Sequence, residues 1–235
     1  MKMILFFIVL FVANVIQAIT GFAGTLLAMP VSMILIGVNE AKVILNIMAF
    51  LSCLWIAIKS RKDIQYKTLG TILIFMGIGM AVGVWLFQIV SLDFLLPCYG
   101  VLIMIIALKN LLIQKQRNLP KWTLLVSLLA AGVIHGMFVS GGALLVIYAA
   151  AVLKDKNQFR ATVAPVWLVL NIFLMASDYL HGYMTPEVMK ITGISIVPLF
   201  LAVFLGNRLH EKINQQTFLK MTYILLIISG VSIML

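Results

Sequence analysis

Val15-Ile16-Gln17-Ala18-Ile19-Thr20-Gly21-Phe22-Ala23-Gly24-Thr25-Leu26-Leu27 is answered 118 residues later by Val133-Ile134-His135-Gly136-Met137-Phe138-Val139-Ser140-Gly141-Gly142-Ala143-Leu144-Leu145. Five of these thirteen positions are identical: Val15, Ile16, Gly24, Leu26 and Leu27. Further on, Asn39 meets Asn157 and the cation Lys42 meets the cation Arg160. Over residues 15–62 only seven of forty-eight positions agree, so identity alone does not separate duplication from the self-similarity of an apolar chain. The spacing is half of the 235 residues, which predicts one body built from two similar units, 1–117 and 118–235.

The chain is 63% hydrophobic and only 10% charged, where a soluble domain carries about 25% charged residues. Mean hydropathy is +1.16. Apolar stretches recur along the whole length and no polar segment exceeds a loop, which predicts an all-α polytopic membrane protein with no soluble domain. The first apolar run passes straight into the glycine motif without a small-residue cleavage site, so it reads as a membrane segment and not as a cleaved leader. The net charge of +10 belongs to membrane topology, not to a nucleic-acid partner. Cys53 and Cys98 both lie in apolar stretches and read as two buried, unpaired thiols. No metal spacing and no cofactor motif is present.

Ten apolar segments can be marked, at about 3–19, 22–37, 43–58, 68–90, 94–113, 122–139, 142–153, 161–180, 190–207 and 217–235. The segments 22–37 and 142–153 are short for a span, which needs about 20 residues. Residues 3–37 and 122–153 therefore read as helical hairpins, and eight to ten transmembrane segments are compatible with the pattern. Alternation places loops 59–67, 109–121, 154–160 and 208–220 on one side, with fourteen of the seventeen cations. The other side receives only Lys2, Lys42 and Lys190, together with Glu40, Asp93, Asp178 and Glu187. The positive bias assigns the first side to the cytoplasm. Five segments per half is an odd number, so the halves enter the bilayer in opposite senses, as inverted-topology repeats.

The glycine motifs fall at the hairpin turns, and a helix starts after each one. The first amides of a helix lack intrahelical partners and carry the positive dipole end. Two such ends meeting inside the membrane, with hydroxyls beside them, suit a small oxyanion. The candidate substrate-binding residues are Gln17, Thr20, Gly21, Gly24, Thr25, His135, Ser140, Gly141, Gly142 and Arg160. The alternative is that the small residues only let helices pack closely. Gln17 and His135 occupy matched positions before the turns; Asn14, Asn46 and Asn171 are the other amides inside apolar segments. A histidine there can bind an anion when protonated or carry a coupled proton, or make a helix-to-helix hydrogen bond. No acid lies in the middle of a span, which tilts the substrate towards anions. Lys42 and Arg160 sit at loop edges, where they can draw anions inwards or simply snorkel to the interface. Trp167 lies inside its helix, facing either the pathway or the packing.

These motifs resemble the TauE/SafE family of anion permeases, the sulfite exporter family. The residues that carry the resemblance are Gln17 to Gly24 with Pro30, then His135 to Gly142, then Phe159-Arg160-Ala161-Thr162. It covers essentially the full chain. The second glycine pair, which family members often continue with proline, is followed here by Ala143. The resemblance implies transport of sulfite, of sulfonates such as sulfoacetate, or of related small organic anions. Expelling one anion from a negative cell interior gains about 2.3 kcal/mol per 100 mV, so an exporter needs no co-ion. The expected partners are a small anion and the lipid bilayer, with no nucleic acid; a homo-dimer is compatible with the sequence. Two other readings stay open: an inverted-repeat carrier of a neutral metabolite or cation, and a membrane-embedded hydrolase with Ser140 as nucleophile and His135 as base. The second lacks the acid that usually orients such a pair.

Overall fold

The computed structural model describes residues 2–90, 119–153 and 155–214, with isolated residues in the segments 91–118 and 215–235. The predicted segments 94–113 and 217–235, and most of loop 109–121, lie outside the described residues. What is described is helical, with no strand among the described residues. The helices are α1 (Lys2–Thr20), α2 (Ala23–Ile36), α3 (Val38–Lys59), α4 (Tyr66–Ile89), α5 (Lys121–Phe138), α6 (Gly142–Val152), α7 (Lys156–Leu180) and α8 (Pro186–Lys212). A 3₁₀ turn, Arg61–Asp63, joins α3 to α4. Six of the helices are long and apolar enough to cross a bilayer; α2 and α6 are shorter. At 1.5 Å per residue the 14 residues of α2 and the 11 of α6 reach about 21 and 17 Å, against about 30 Å of hydrocarbon.

Both predicted hairpins form, α1–α2 and α5–α6. Helix ends also recur at the sequence offset: Thr20 and Phe138 end α1 and α5, and Val38 and Lys156 begin α3 and α7, each pair 118 apart. Several boundaries differ from the hydropathy reading: α3 and α7 start five residues earlier, and α8 is longer at both ends. α7 starts at Lys156 because Asp155 caps it, accepting from the amides of Asn157 at 2.8 Å and Gln158 at 3.0 Å. α8 runs on to Lys212, and the Lys156 ammonium donates to the carbonyls of His210 and Ile213 at its C-terminal end, both at 3.1 Å. Residues that look like loop in a hydropathy profile are thus drawn into helix by their own caps.

α3 and α7 are the most buried of the long helices, and α4 and α8 the least. α3 and α7 pack on each other in antiparallel sense: Lys42 lies opposite Asp178, and the Asn46 amide donates to the Asn171 carbonyl at 3.4 Å. Around this pair, α1 packs on α2 and α8, while α5 packs on α6 and α4. α2 packs on α3 and α6 on α7; α3 meets α8 and α4 meets α7. Exchanging the first four helices for the last four nearly maps this pattern onto itself; the contact of α1 with α3 is the main departure.

The two halves join along a seam of glycines. Gly79 and Gly83 on α4, and Gly132 and Gly136 on α5, stand four apart on each helix. A Cβ at any of them would run into backbone of the facing helix, at Leu129, Val133, Met76 and Met80 respectively. Such small-xxx-small faces let helices approach closely where lipid offers no hydrophobic drive. The outward faces of α4 and α8 expose Ile74, Ile78, Val82 and Trp85, and Val197, Phe200, Leu201 and Phe204. In water this would be a large apolar patch; in a bilayer it is the lipid face.

Candidate functional site

The first hairpin turns at Gly21, whose φ of 82° is open to glycine without a Cβ penalty. The turn is closed by the end of α1. The Thr20 hydroxyl donates to the Ile16 carbonyl at 2.8 Å and accepts from the amides of Phe22 and Ala23 at 3.3 and 3.0 Å. Gln17 Oε1 accepts from the Gly24 amide at 2.8 Å, and its Nε2 donates to Cys53 Sγ at 3.2 Å. The Gly21 carbonyl accepts from Trp167 Nε1 of α7 at 2.9 Å. Three amides at the start of α2 are therefore already held by protein side chains. The donors that the sequence reading offers to a ligand here are used internally. Thr25, one turn on, is half-buried.

The second hairpin turns at Val139, the sequence partner of Gly21, with φ 55° and ψ 26°. A β-branched residue in the left-handed region is strained by about 1–2 kcal/mol. The Ser140 hydroxyl donates to the Phe138 carbonyl at 2.8 Å. The residue capping α6 is Gly141, which has no side chain to bond the first amides of the helix. The two elbows touch. A Cβ at Gly142 would fall 3.0 Å from the Phe22 carbonyl oxygen and 2.8 Å from its ring.

His135, one turn before this elbow, is 1% exposed, and neither ring nitrogen makes a hydrogen bond of good geometry among the described residues. Its ring lies 4.9 Å from that of Trp167. Among the described residues Asn171, 1% exposed, makes no side-chain hydrogen bond of good geometry, and Asn46, fully buried, makes none through its Oδ1. Buried polar groups are rarely left unpaired, and each such atom costs about 1–3 kcal/mol. These three side chains sit on α5, α7 and α3, around the central seam.

The ends of that seam carry the two matched cations, and neither snorkels. Lys42 is 4% exposed; its ammonium lies 3.9 Å from Asp178 Oδ1 and 3.8 Å from the centre of the Phe87 ring. Arg160 is 7% exposed, its guanidinium donates to Asn207 Oδ1 of α8, and its Nε has no partner among the described residues. A Cβ at Gly21 would stand 3.3 Å from the Arg160 Cγ, so this cation lies against the first elbow. Arg160 opens onto a cleft of about 180 Å³ lined by Lys59, Ser60, Asp63, Asn157, Asn207, His210 and Glu211. Asp63 and Glu211 line the cleft without forming an ion pair with Arg160, and the Lys42–Asp178 pair is the one ion pair among the described residues.

The sequence candidates thus divide. Gln17, Thr20, Gly21 and Gly24 form one closed hydrogen-bonded turn with Arg160 beside it. His135, Ser140, Gly141 and Gly142 form the second turn, in contact with the first. Reading the sequence singles out Asn46 and Asn171 without their setting and misses Asn207, His210 and the Lys42–Asp178 pair. Asp178, counted in the outer loop set, is 2% exposed near the end of α7. Its signal was available: Asp178 lies eighteen residues after Arg160, five helical turns along one face. Cys53 is buried as expected, and Cys98 is exposed; both are free thiols.

Six membrane-length helices, two broken hairpins meeting inside the bundle, and buried polar groups along a central seam define a multi-pass membrane transporter. The chain belongs to the family described as Sulfite exporter TauE/SafE, which it matches over residues 6–233. It is also similar to the Probable inner membrane transporter protein TsaS of Comamonas testosteroni, 27% identical over 175 residues, 73% of each chain. No solved structure matches it.

Proposed function

We propose that the protein is a secondary transporter of a small oxyanion, such as sulfite or a sulfonate like sulfoacetate. It works by alternating access, with halves 1–117 and 118–235 as inverted repeats and the loops 59–67, 109–121, 154–160 and 208–220 cytoplasmic. The observation that carries the anion reading is Arg160. Among the described residues the buried guanidinium donates to a neutral amide and forms no ion pair, an arrangement that is costly unless an anion completes it. It lines the larger of the two clefts at the ends of the seam, and a planar fork of donors is suited to an oxyanion. The unpaired His135 and Asn171 lie further along the same seam and supply neutral polar partners. The inverted arrangement is supported by the antiparallel packing of α3 on α7, the matched helix ends and the near-symmetric packing pattern.

The test is flux in proteoliposomes, with sulfite, sulfoacetate, a carboxylate of similar size and a neutral solute. One of the sulfur oxyanions is expected to move, and an inside-negative potential to speed its exit. Transport of the neutral solute alone would contradict the reading. Arg160→Gln keeps a hydrogen-bonding side chain while removing the charge, and is expected to reduce oxyanion flux about ten-fold or more.

A further inference from the structure

At the opposite end of the seam from Arg160 the bundle holds a second polar pocket, built from the matching positions of the other half. Its volume is about 10 Å³, room for no more than a water, and its lining includes Lys42, Gln88, Ser177, Asp178 and His181. Set 118 residues apart, Arg160 corresponds to Lys42, Lys59 to Ser177, Ser60 to Asp178 and Asp63 to His181. All four partners at the Arg160 end line the cleft of about 180 Å³. The two pockets lie at matched places in the two halves and differ in size, about 180 Å³ against about 10 Å³. Three of the four pairs differ in charge, and the one that bears on the cation is Ser60 against Asp178. Where the larger cleft has the Ser60 hydroxyl, the smaller one has the Asp178 carboxylate against the Lys42 ammonium. The pair is loose: the nitrogen-to-oxygen distance is 3.9 Å, and Asp178 Oδ2 makes no hydrogen bond of good geometry among the described residues. A Gln88–His181 hydrogen bond of 2.7 Å ties α4 to the end of α7 across the same pocket.

We propose that Lys42 is a second anion-binding residue, matched to Arg160, and that the Asp178 carboxylate occupies it in place of the transported oxyanion, shutting that end. The inference rests on the anion reading of the Arg160 cleft. A carboxylate carried on α7 is an internal competitor: while it sits on Lys42, a free oxyanion has no cation to bind there. Movement of α7 relative to α3 that draws Asp178 away exposes the ammonium to substrate. At the other end the matched residue is a serine, whose hydroxyl cannot neutralise Arg160, and the carboxylates that line that cleft, Asp63 and Glu211, form no ion pair with it among the described residues. The carrier is thereby asymmetric, resting shut at the Lys42 end.

The test is alkylation by a neutral maleimide of cysteines introduced at matched places, Ser60→Cys and Ser177→Cys, in the full-length protein carrying Cys98→Ser, with the buried Cys53 retained and the Cys98→Ser parent as the labelling blank. Sulfoacetate is the probe, because it does not react with maleimide, and sodium chloride of equal ionic strength is the control. Cysteine at 60 is expected to label readily and to be protected by sulfoacetate. Cysteine at 177 is expected to label about ten-fold more slowly, its pocket being shut. Asp178→Ser, which installs the residue found at the matched position, is expected to speed labelling at 177 and to make it sulfoacetate-protected; Lys42→Gln added to it removes the protection. Thermal unfolding in detergent establishes that each variant is folded, and Asp178→Asn stands in if Asp178→Ser is not. Unchanged labelling at 177 in the folded Asp178 variant, or protection that survives Lys42→Gln, overturns the inference. Protection at 60 without protection at 177 in the Asp178 variant rejects this inference alone. Protection at neither position rejects the anion reading with it.

Discussion

The two hairpin elbows are built at matched positions and finished in opposite ways. The first turns on glycine and binds its own new helix: Thr20 and Gln17 hold the amides of Phe22, Ala23 and Gly24. The second turns on a strained valine, caps its helix with a glycine, and leaves His135 unpaired at the position where Gln17 makes the bond. A polar side chain at the same step before the same turn is therefore structural in one half and unemployed in the other. Strain and unpaired polar groups tend to collect where a protein works. The contrast suggests that the first elbow is the fixed frame and the second the one that answers to substrate.

The sharpest way to break this contrast is to give the first elbow the second elbow's residue. Gly21→Val adds a Cβ within 3.4 Å of the Arg160 backbone at a φ of 82°. We expect destabilisation of about 2 kcal/mol or more, read as a lower Tm in detergent. A valine accepted at 21 as it is at 139 would mean that the two turns are equally tolerant. Next come the matched polar residues. Gln17→Leu strands the buried Gly24 amide and should cost about 1–3 kcal/mol of stability. His135→Leu removes no hydrogen bond of good geometry among the described residues, so its Tm should hold while oxyanion flux falls; loss of Tm with normal flux would reverse the assignment. The smallest pair is Thr20→Val against Ser140→Ala. Thr20→Val loses a hydroxyl that accepts from two amides and should cost about 1 kcal/mol. Ser140→Ala loses a single donation to the Phe138 carbonyl and should cost less.

The fold was legible in the sequence because membrane insertion is a strong constraint. Uninterrupted apolar runs have to be helices, and the glycine motifs fix where two of them break. The Val15–Leu27 and Val133–Leu145 repeat therefore located both elbows correctly. What hydropathy could not give was the use of each polar side chain. Thr20 and Gln17 look like ligands-in-waiting, yet they face amides of their own turn, a matter of a few ångströms that no periodicity records. Lys42 and Asp178 look interfacial because each lies near a helix end, yet they bury by facing each other across an antiparallel seam. The glycine seam of α4 and α5 was readable as paired four-residue spacings, but its partner helix was not. The offset of 118 had already aligned Lys42 with Arg160; only the packing of α3 on α7 shows that they hold opposite ends of one seam.

Equilibrium binding of sulfite and sulfoacetate to the purified protein, measured by calorimetry for the wild type and for Arg160→Gln, is the most direct measurement. The account predicts that at least one of these oxyanions binds the wild type, and that the charge-removing variant, still folded, binds it about ten-fold or more weakly. Equal affinity in both proteins, or no oxyanion binding to a wild type that still unfolds cooperatively, would contradict it.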